Sequence, residues 1–180
     1  MLEKIILLGI TLIMAIMAHS LTFPPEPSSD ATRDEVLIAL TVWGEARGST
    51  PQDQIAIARV IRNRVADPRF PNTVQGVVWQ PYQFSCWNDN DPNRSKLPRV
   101  LELDPHAYNR ALGIARMVLA EPAPDPQSKN RFLNYHAVTR DLAKHPNHWA
   151  HHGRGKTRIG GHYFYLDALA PSPSPSSPSA

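Results

Sequence analysis

The 180-residue chain holds a single cysteine, Cys86. That excludes a disulfide framework and any cysteine-rich zinc site within the chain. Neither GxGxxG nor GxxxxGKS/T occurs, which argues against a nucleotide-dependent enzyme, and HExxH is missing too. No internal repeat is visible. Proline, by contrast, is plentiful: 18 residues, a tenth of the chain and about twice ordinary usage. The prolines gather at the ends and in loops, so the foldable part is shorter than the whole. At roughly 100–200 residues per domain, one core is the expectation.

The net charge of +3 is unevenly placed. From Gln127 to Asp167 the chain carries seven lysines and arginines against two aspartates, together with six of its eight histidines. A basic face of this size suits a polyanionic partner, whether nucleic acid, anionic cell wall or acidic lipid, though an ordinary solvated surface has the same composition.

Residues 1–20 read as an export signal, with an uncleaved membrane anchor as the alternative. Lys4 precedes an apolar run from Ile5 to Ala18, and Ala18-His19-Ser20 supplies small residues for cleavage. As a helix the run spans about 21 Å, short of the roughly 30 Å hydrocarbon core. Residues 21–33 are a proline-rich linker, 34–168 the folded domain, and 169–180 a Pro/Ser tail expected to be disordered.

Within the domain the class is α+β, helices first. Val36, Leu37, Leu40 and Trp43 predict a helix over Asp34–Arg47, stopped by Gly48. Thr50-Pro51 with Asp53 opens a second helix that Asp67-Pro68 ends. Asn72 or Thr73 caps a short helix through Trp79, and residues 85–98 form a polar loop. Asp104-Pro105 starts a further helix, which the prolines from Pro122 terminate. Aromatic-rich runs at 131–138 and 162–166 suit strands that pair antiparallel.

Glu45 is the leading candidate for chemistry. The end of a helix and a nearby tryptophan both disfavour a charged carboxylate, and Arg47 at i+2 points elsewhere. A carboxylic acid in that setting suits general acid catalysis; a plain surface glutamate is the bland reading. A second carboxylate is harder to find. Asp34, Glu35 and Asp53 read as helix-start residues, and Asp89 and Asp91 lie in the loop. One acid suffices where the substrate supplies its own nucleophile, as the C6 hydroxyl of muramic acid does. Cys86 offers a rival: with Gln80 upstream and His136 or His162 as base it would make a papain-like cell-wall endopeptidase, although the preceding Cys and Gly of that motif are missing. His145, His148, His151 and His152 are close in sequence and read as a solvated loop more readily than as a metal site. Trp79, Tyr82, Phe84, Trp87 and Trp149 supply planes for stacking on pyranose rings, or core.

Together these segments resemble the spore-cortex-lytic (SleB-like) type of cell-wall hydrolase. Trp43-Gly-Glu-Ala-Arg-Gly, the helix ending Asn63-Arg64-Val65, Phe70-Pro-Asn-Thr-Val, Val77–Trp87, Asn134-Tyr-His-Ala, His148-Trp149 and Ile159-Gly-Gly-His-Tyr-Phe-Tyr carry the likeness. Phe132-Leu133-Asn134 departs from a Gly-Ala-Thr type segment common in that family. The resemblance implies a lysozyme-like fold with a small sheet and puts Glu45 on the family's catalytic glutamate. It implies cleavage of the β-1,4 bond after N-acetylmuramic acid as a lytic transglycosylase, without metal or other cofactor. Gln83, Phe84, Tyr135, His136, Trp149 and His162 are the expected cleft residues. The expected partner is the peptidoglycan glycan strand. Neither nucleic acid nor a second subunit is expected, and membrane contact is confined to the N-terminal segment of an exported protein.

Overall fold

The computed structural model describes residues 30–168. The expected export segment, most of the linker and the tail lie outside the described residues. Five α-helices come first: α1 (Arg33–Ala46), α2 (Pro51–Val65), α3 (Val74–Val78), α4 (Val100–Leu103) and α5 (Pro105–Ala120). Five short strands follow: β1 (Asn134–Ala137), β2 (Gly153–Arg154), β3 (Thr157–Ile159), β4 (His162–Tyr165) and β5 (Asp167–Ala168). The α+β order is the one the sequence predicts.

Local capping explains the helix starts. α1 begins one residue before its expected start, because Thr32 forms a capping box with Glu35: the Glu35 N–H donates to Thr32 Oγ1 at 3.2 Å, and the Thr32 N–H to Glu35 Oε2 at 2.9 Å. Thr50 Oγ1 accepts from the Asp53 N–H at 3.3 Å, Thr73 Oγ1 from Gly76 at 3.1 Å, and Asp104 Oδ1 from Ala107 at 3.3 Å. The loop at 85–98 holds a 3₁₀ turn at Ser85–Trp87, and a second at Leu97–Arg99 leads into α4. Neither α4 nor these turns is legible from periodicity, which needs longer runs.

α1 is the centre of the molecule. Val36 to Trp43 are buried without interruption, and a helix apolar on all sides must be surrounded. It packs chiefly on α5, with α2, α3 and the Ser85–Trp87 turn closing the other sides. Its polar residue is satisfied: Thr41 donates to Leu37 O at 2.7 Å and accepts the Trp87 indole N–H at 2.8 Å. The Trp43 indole donates to Asp104 Oδ2 at 3.0 Å. α1 and the turn approach so closely that an added Cβ at Gly44 would lie 2.4 Å from Cys86 Cβ and 2.8 Å from its Sγ.

The sheet has order β1-β4-β3, all antiparallel, beside a two-stranded β2–β5 ladder. The expected pairing of the two aromatic runs is present, over shorter spans and in the register Tyr135↔Phe164 and His136↔Tyr163. β3, in the polar basic segment, has too little apolar alternation to announce itself. The β3–β4 turn meets α2: Gly160 has φ +53°, and a side chain there would lie 2.9 Å from Asp53 Cβ. The end of α2 is stitched to the chain entering β1. Asn63 Nδ2 donates to Phe132 O at 2.9 Å, and Arg64 Nε to Leu133 O at 2.7 Å. Because backbone carbonyls accept these bonds, the unusual Phe132-Leu133 side chains leave the docking intact.

Asp67, just past α2, is chelated by Arg69 and also accepts from Arg131 Nη2 at 2.9 Å. The Arg69 hydrogen bond, against the opposing effect of burial, holds its carboxyl well below the ordinary carboxylate range. A depressed folded-state pKa gives stability that is complete above the unfolded value of about 4 and is lost as the pH falls below it. Asp67→Asn is therefore expected to lower the Tm at pH 7 by about 5 °C and to flatten the acid-side decline of Tm, read by circular dichroism. Gly44→Ala forces α1 and the Cys86 turn apart and is expected to cost about 2 kcal/mol, measured by urea unfolding.

Candidate active site

The last turn of α1 carries Glu45 to the surface side of the core, where it is partly buried. Three donors meet its carboxyl. The Cys86 backbone N–H donates to Oε1 at 3.0 Å and the Ser85 hydroxyl donates to the same oxygen at 3.2 Å. The Tyr135 hydroxyl donates to Oε2 at 3.1 Å. Among the described residues no guanidinium forms an ion pair with it: Arg47 places its own over the Trp43 ring, 4.4 Å from the centroid. The direction expected for Arg47 is the one observed.

The two oxygens are chemically unequal. An amide N–H can only donate, so Oε1 is held as an acceptor whatever the state of the acid. A phenol can donate or accept, so Oε2 can face Tyr135 with or without a proton. Burial, and after it the Glu45 charge, push the Tyr135 phenol well above its ordinary range. The hydroxyl thus stays a neutral, two-way partner. Among the described residues no second carboxylate shares these donors. Asp89 is exposed, and Asp91 Oδ1 instead accepts the Asn93 N–H at 2.8 Å.

Behind Tyr135 lies a second layer, in which sequence reasoning named His162 but missed Asp53 and Arg64. Asp53, 0% exposed, does more than start a helix. Its carboxylate accepts from His162 Nδ1 at 2.9 Å and from the Gly161 N–H at 3.0 Å. His162 in turn meets the Tyr135 ring edge-on, with centroids 5.3 Å apart. Arg64 lies beneath, 5.3 Å from the Phe84 centroid and 5.0 Å from that of Phe70. Burial lowers its pKa to about 10. Hydrophilic residues buried at 0–8% exposure, here Asp53, Arg64 and His162, are rare enough to be a signal, but that signal needs coordinates.

The sheet divides the expected cleft residues. Side chains alternate along a strand, so Tyr135 shares one face with His162 and Phe164, while His136 turns to the other with Tyr163 and Tyr165. There His136 Nδ1 sits 2.8 Å from Ala137 O and Nε2 3.0 Å from the Tyr165 hydroxyl, and Trp149 packs edge-on against Tyr165 at 5.1 Å. His136 and Trp149 therefore belong to a separate aromatic cluster across the sheet from Glu45. Phe84, at 1% exposure, is core under Tyr135 and offers no open face. Gln83 is exposed two residues before Ser85. Ser85, adjacent to the cysteine that drew attention, was overlooked.

Cys86 is fully buried, and burial followed by the Glu45 charge pushes its thiol far above the ordinary range. That is the reverse of an activated nucleophile, so the thiol reading fails on geometry. Two of the loop histidines bond within their own turns: His151 Nε2 lies 3.1 Å from His145 O and 3.3 Å from Leu142 O, and His148 Nδ1 accepts the Ala150 N–H at 3.2 Å. Among the described residues no three His, Cys, Asp or Glu side chains converge as a metal-ligand set, and no helix is long and apolar enough to cross a membrane.

Comparison with known proteins places this geometry. Curated spore cortex-lytic enzymes of Bacillus subtilis and Bacillus cereus are 40% and 39% identical over 80 residues, 42% of this chain, which amount to 26% and 31% of those proteins' own lengths. The crystal structure of the catalytic domain of the B. cereus SleB protein superposes with TM-score 0.53 at 26% identity, covering 77% of this chain and 94% of that one. The catalytic domain of a germination-specific lytic transglycosylase, SleB from Bacillus anthracis, does so with TM-score 0.51 at 24% identity, covering 77% and 99%. The expected lysozyme-like fold with a small sheet is thereby shown. The family described as cell wall hydrolase matches residues 48–165. A match across most of the chain, together with that shared fold, makes this protein a member of the cell wall hydrolase family.

Proposed function

We propose that the protein cleaves the β-1,4 bond between N-acetylmuramic acid and N-acetylglucosamine in peptidoglycan, as a lytic transglycosylase with Glu45 as acid and then base. The observation that carries the reading is the Glu45 clamp. One carboxyl oxygen is fixed by a backbone N–H, the other faces a phenol able to follow a moving proton, and no cation among the described residues locks the group. The B. anthracis neighbour is itself described as a lytic transglycosylase.

In this mechanism Glu45 Oε2 gives its proton to the glycosidic oxygen as the C1–O bond breaks. The N-acetylglucosamine side leaves with a free hydroxyl, and positive charge develops at C1 of the muramoyl ring. The ring's own C6 oxygen then bonds to C1, and its proton returns to Glu45. Atoms balance without water, and the product is a 1,6-anhydro end. One carboxyl suffices, which fits the absence, among the described residues, of a second carboxylate sharing the clamp's donors. The Tyr135 hydroxyl accepts from the protonated acid and donates to the anion, smoothing the exchange. The exposed cations of the 127–167 segment, among them Arg140, Lys144, Arg154 and Arg158, favour an anionic wall polymer. Export of the chain by its N-terminal segment completes the reading.

Glu45→Gln keeps the Cys86 N–H accepted and the Tyr135 contact filled, so the variant is expected to fold and to leave no clearing in a peptidoglycan gel. Mass spectrometry of native digests is expected to show anhydro ends; products heavier by one water would make the enzyme a hydrolysing muramidase instead. Tyr135→Phe is expected to lower kcat by about 10–100-fold with KM within about twofold. Cys86→Ala retains the backbone donor and is expected to clear peptidoglycan within about tenfold of the native rate, whereas a thiol peptidase would lose everything.

A further inference from the structure

The helices bury nearly all their aromatic surface, yet two neighbouring rings stand out: Trp79 is 38% exposed and Tyr82 88%. They flank a tight turn in which the Gln83 N–H donates to Gln80 O at 3.2 Å. Pro81 holds the second position of that turn, and Tyr82 the third with φ +64°. A positive φ at the third position is a glycine preference, so a tyrosine there is strained while gaining no burial. Strain kept at an exposed aromatic points to use of the ring.

The surroundings are concave. Trp79 and Gln80 form a shared wall between two surface cavities, one of about 820 Å³ and one of about 470 Å³. Asn72, Thr73 and Gln75 contribute polar groups to the larger. The smaller is completed by Trp87, Asn88 and Arg94, and Trp87 meets Trp79 edge-on at 6.0 Å. Gln80 Oε1 is buried without a hydrogen-bond partner among the described residues, leaving an acceptor unused. Trp87 directly follows Cys86, whose N–H holds Glu45, so the smaller cavity and the clamp are built on one short turn.

Flat apolar rings interleaved with amides and hydroxyls match one ligand chemistry well. A pyranose presents a C–H face to an indole or phenol, and its acetamido group pairs with side-chain amides. We infer that Trp79 and Gln80, with the exposed Tyr82 ring on the adjoining turn, form a carbohydrate subsite that takes an N-acetylated pyranose of the glycan strand away from the scissile bond. The identity of the strand rests on the function proposed above; the ring-and-amide geometry does not.

The test titrates the ¹⁵N-labelled full chain with the tetramer of N-acetylglucosamine, which has neither lactyl ether nor peptide. Of the four tryptophan indole signals, the one missing from the Trp79→Ala spectrum is expected to move most, and Tyr82→Gly, which removes the positive-φ strain, is expected to weaken binding about fivefold. On purified glycan strands both variants are expected to raise KM about tenfold with kcat within about twofold. An indole signal unmoved at saturating sugar, movement with free stem peptide but not with the tetramer, or an unchanged KM in both variants overturns the subsite. Residual clearing by Glu45→Gln would overturn the catalytic assignment alone, because the titration needs no turnover.

Discussion

The site depends on one close approach. Glu45 is held because the Cys86 N–H reaches it, and the Cys86 turn comes that near α1 because Gly44 has no side chain. Helix and turn are 40 residues apart along the chain, and the sum of packing at Gly44, the Thr41–Trp87 bond and the buried thiol sets their distance. Cys86 serves here through its backbone and its bulk. The sulfur fills the space beside Gly44, in a position too desolvated to ionise.

The second constraint comes from the sheet. β1 brings Tyr135 to the other oxygen of Glu45, and pleating makes that choice for every neighbour. Residues on Tyr135's face support the clamp; those on the other build an independent cluster around His136. The sheet is anchored to α2 at both of the helix's ends. Asp53, in the first turn, holds His162 and Gly161, while Asn63 and Arg64, in the last, hold the chain entering β1. Buried polar groups of this kind specify one docking geometry at a cost, here with Asn63 Oδ1 and Arg64 Nη1 left without a hydrogen-bond partner among the described residues. α1 and α2 thus fix the two sides of a single carboxyl.

Family membership and the geometry around Glu45 are separate observations. The family match begins at residue 48, beyond Glu45, so the clamp is an observation of this chain's own geometry. Most cations of the 127–167 segment lie exposed around the sheet, but one of them, Arg131, is drawn into an internal bond with Asp67. A basic count therefore overstates the charge available to a ligand.

Local chemistry along the sequence was enough to locate four of the five described α-helices, all but α4. Thr50, Thr73 and Asp104 cap through bonds to residues three positions away, and such bonds are legible in any linear reading. The paired aromatic strands and Glu45 at the end of a buried helix were visible for the same reason. That Phe84 lies in the core and His136 and Trp149 across the sheet from Glu45 was not legible, because composition marks an aromatic residue but not the side of a sheet or the depth at which it lies. Ser85, Asp53 and Arg64 acquired their roles through partners 40, 109 and 69 positions distant. Propensity and capping act over a few residues, and so the chain alone could place its elements; which carboxyl meets which donor was decided only when those elements packed.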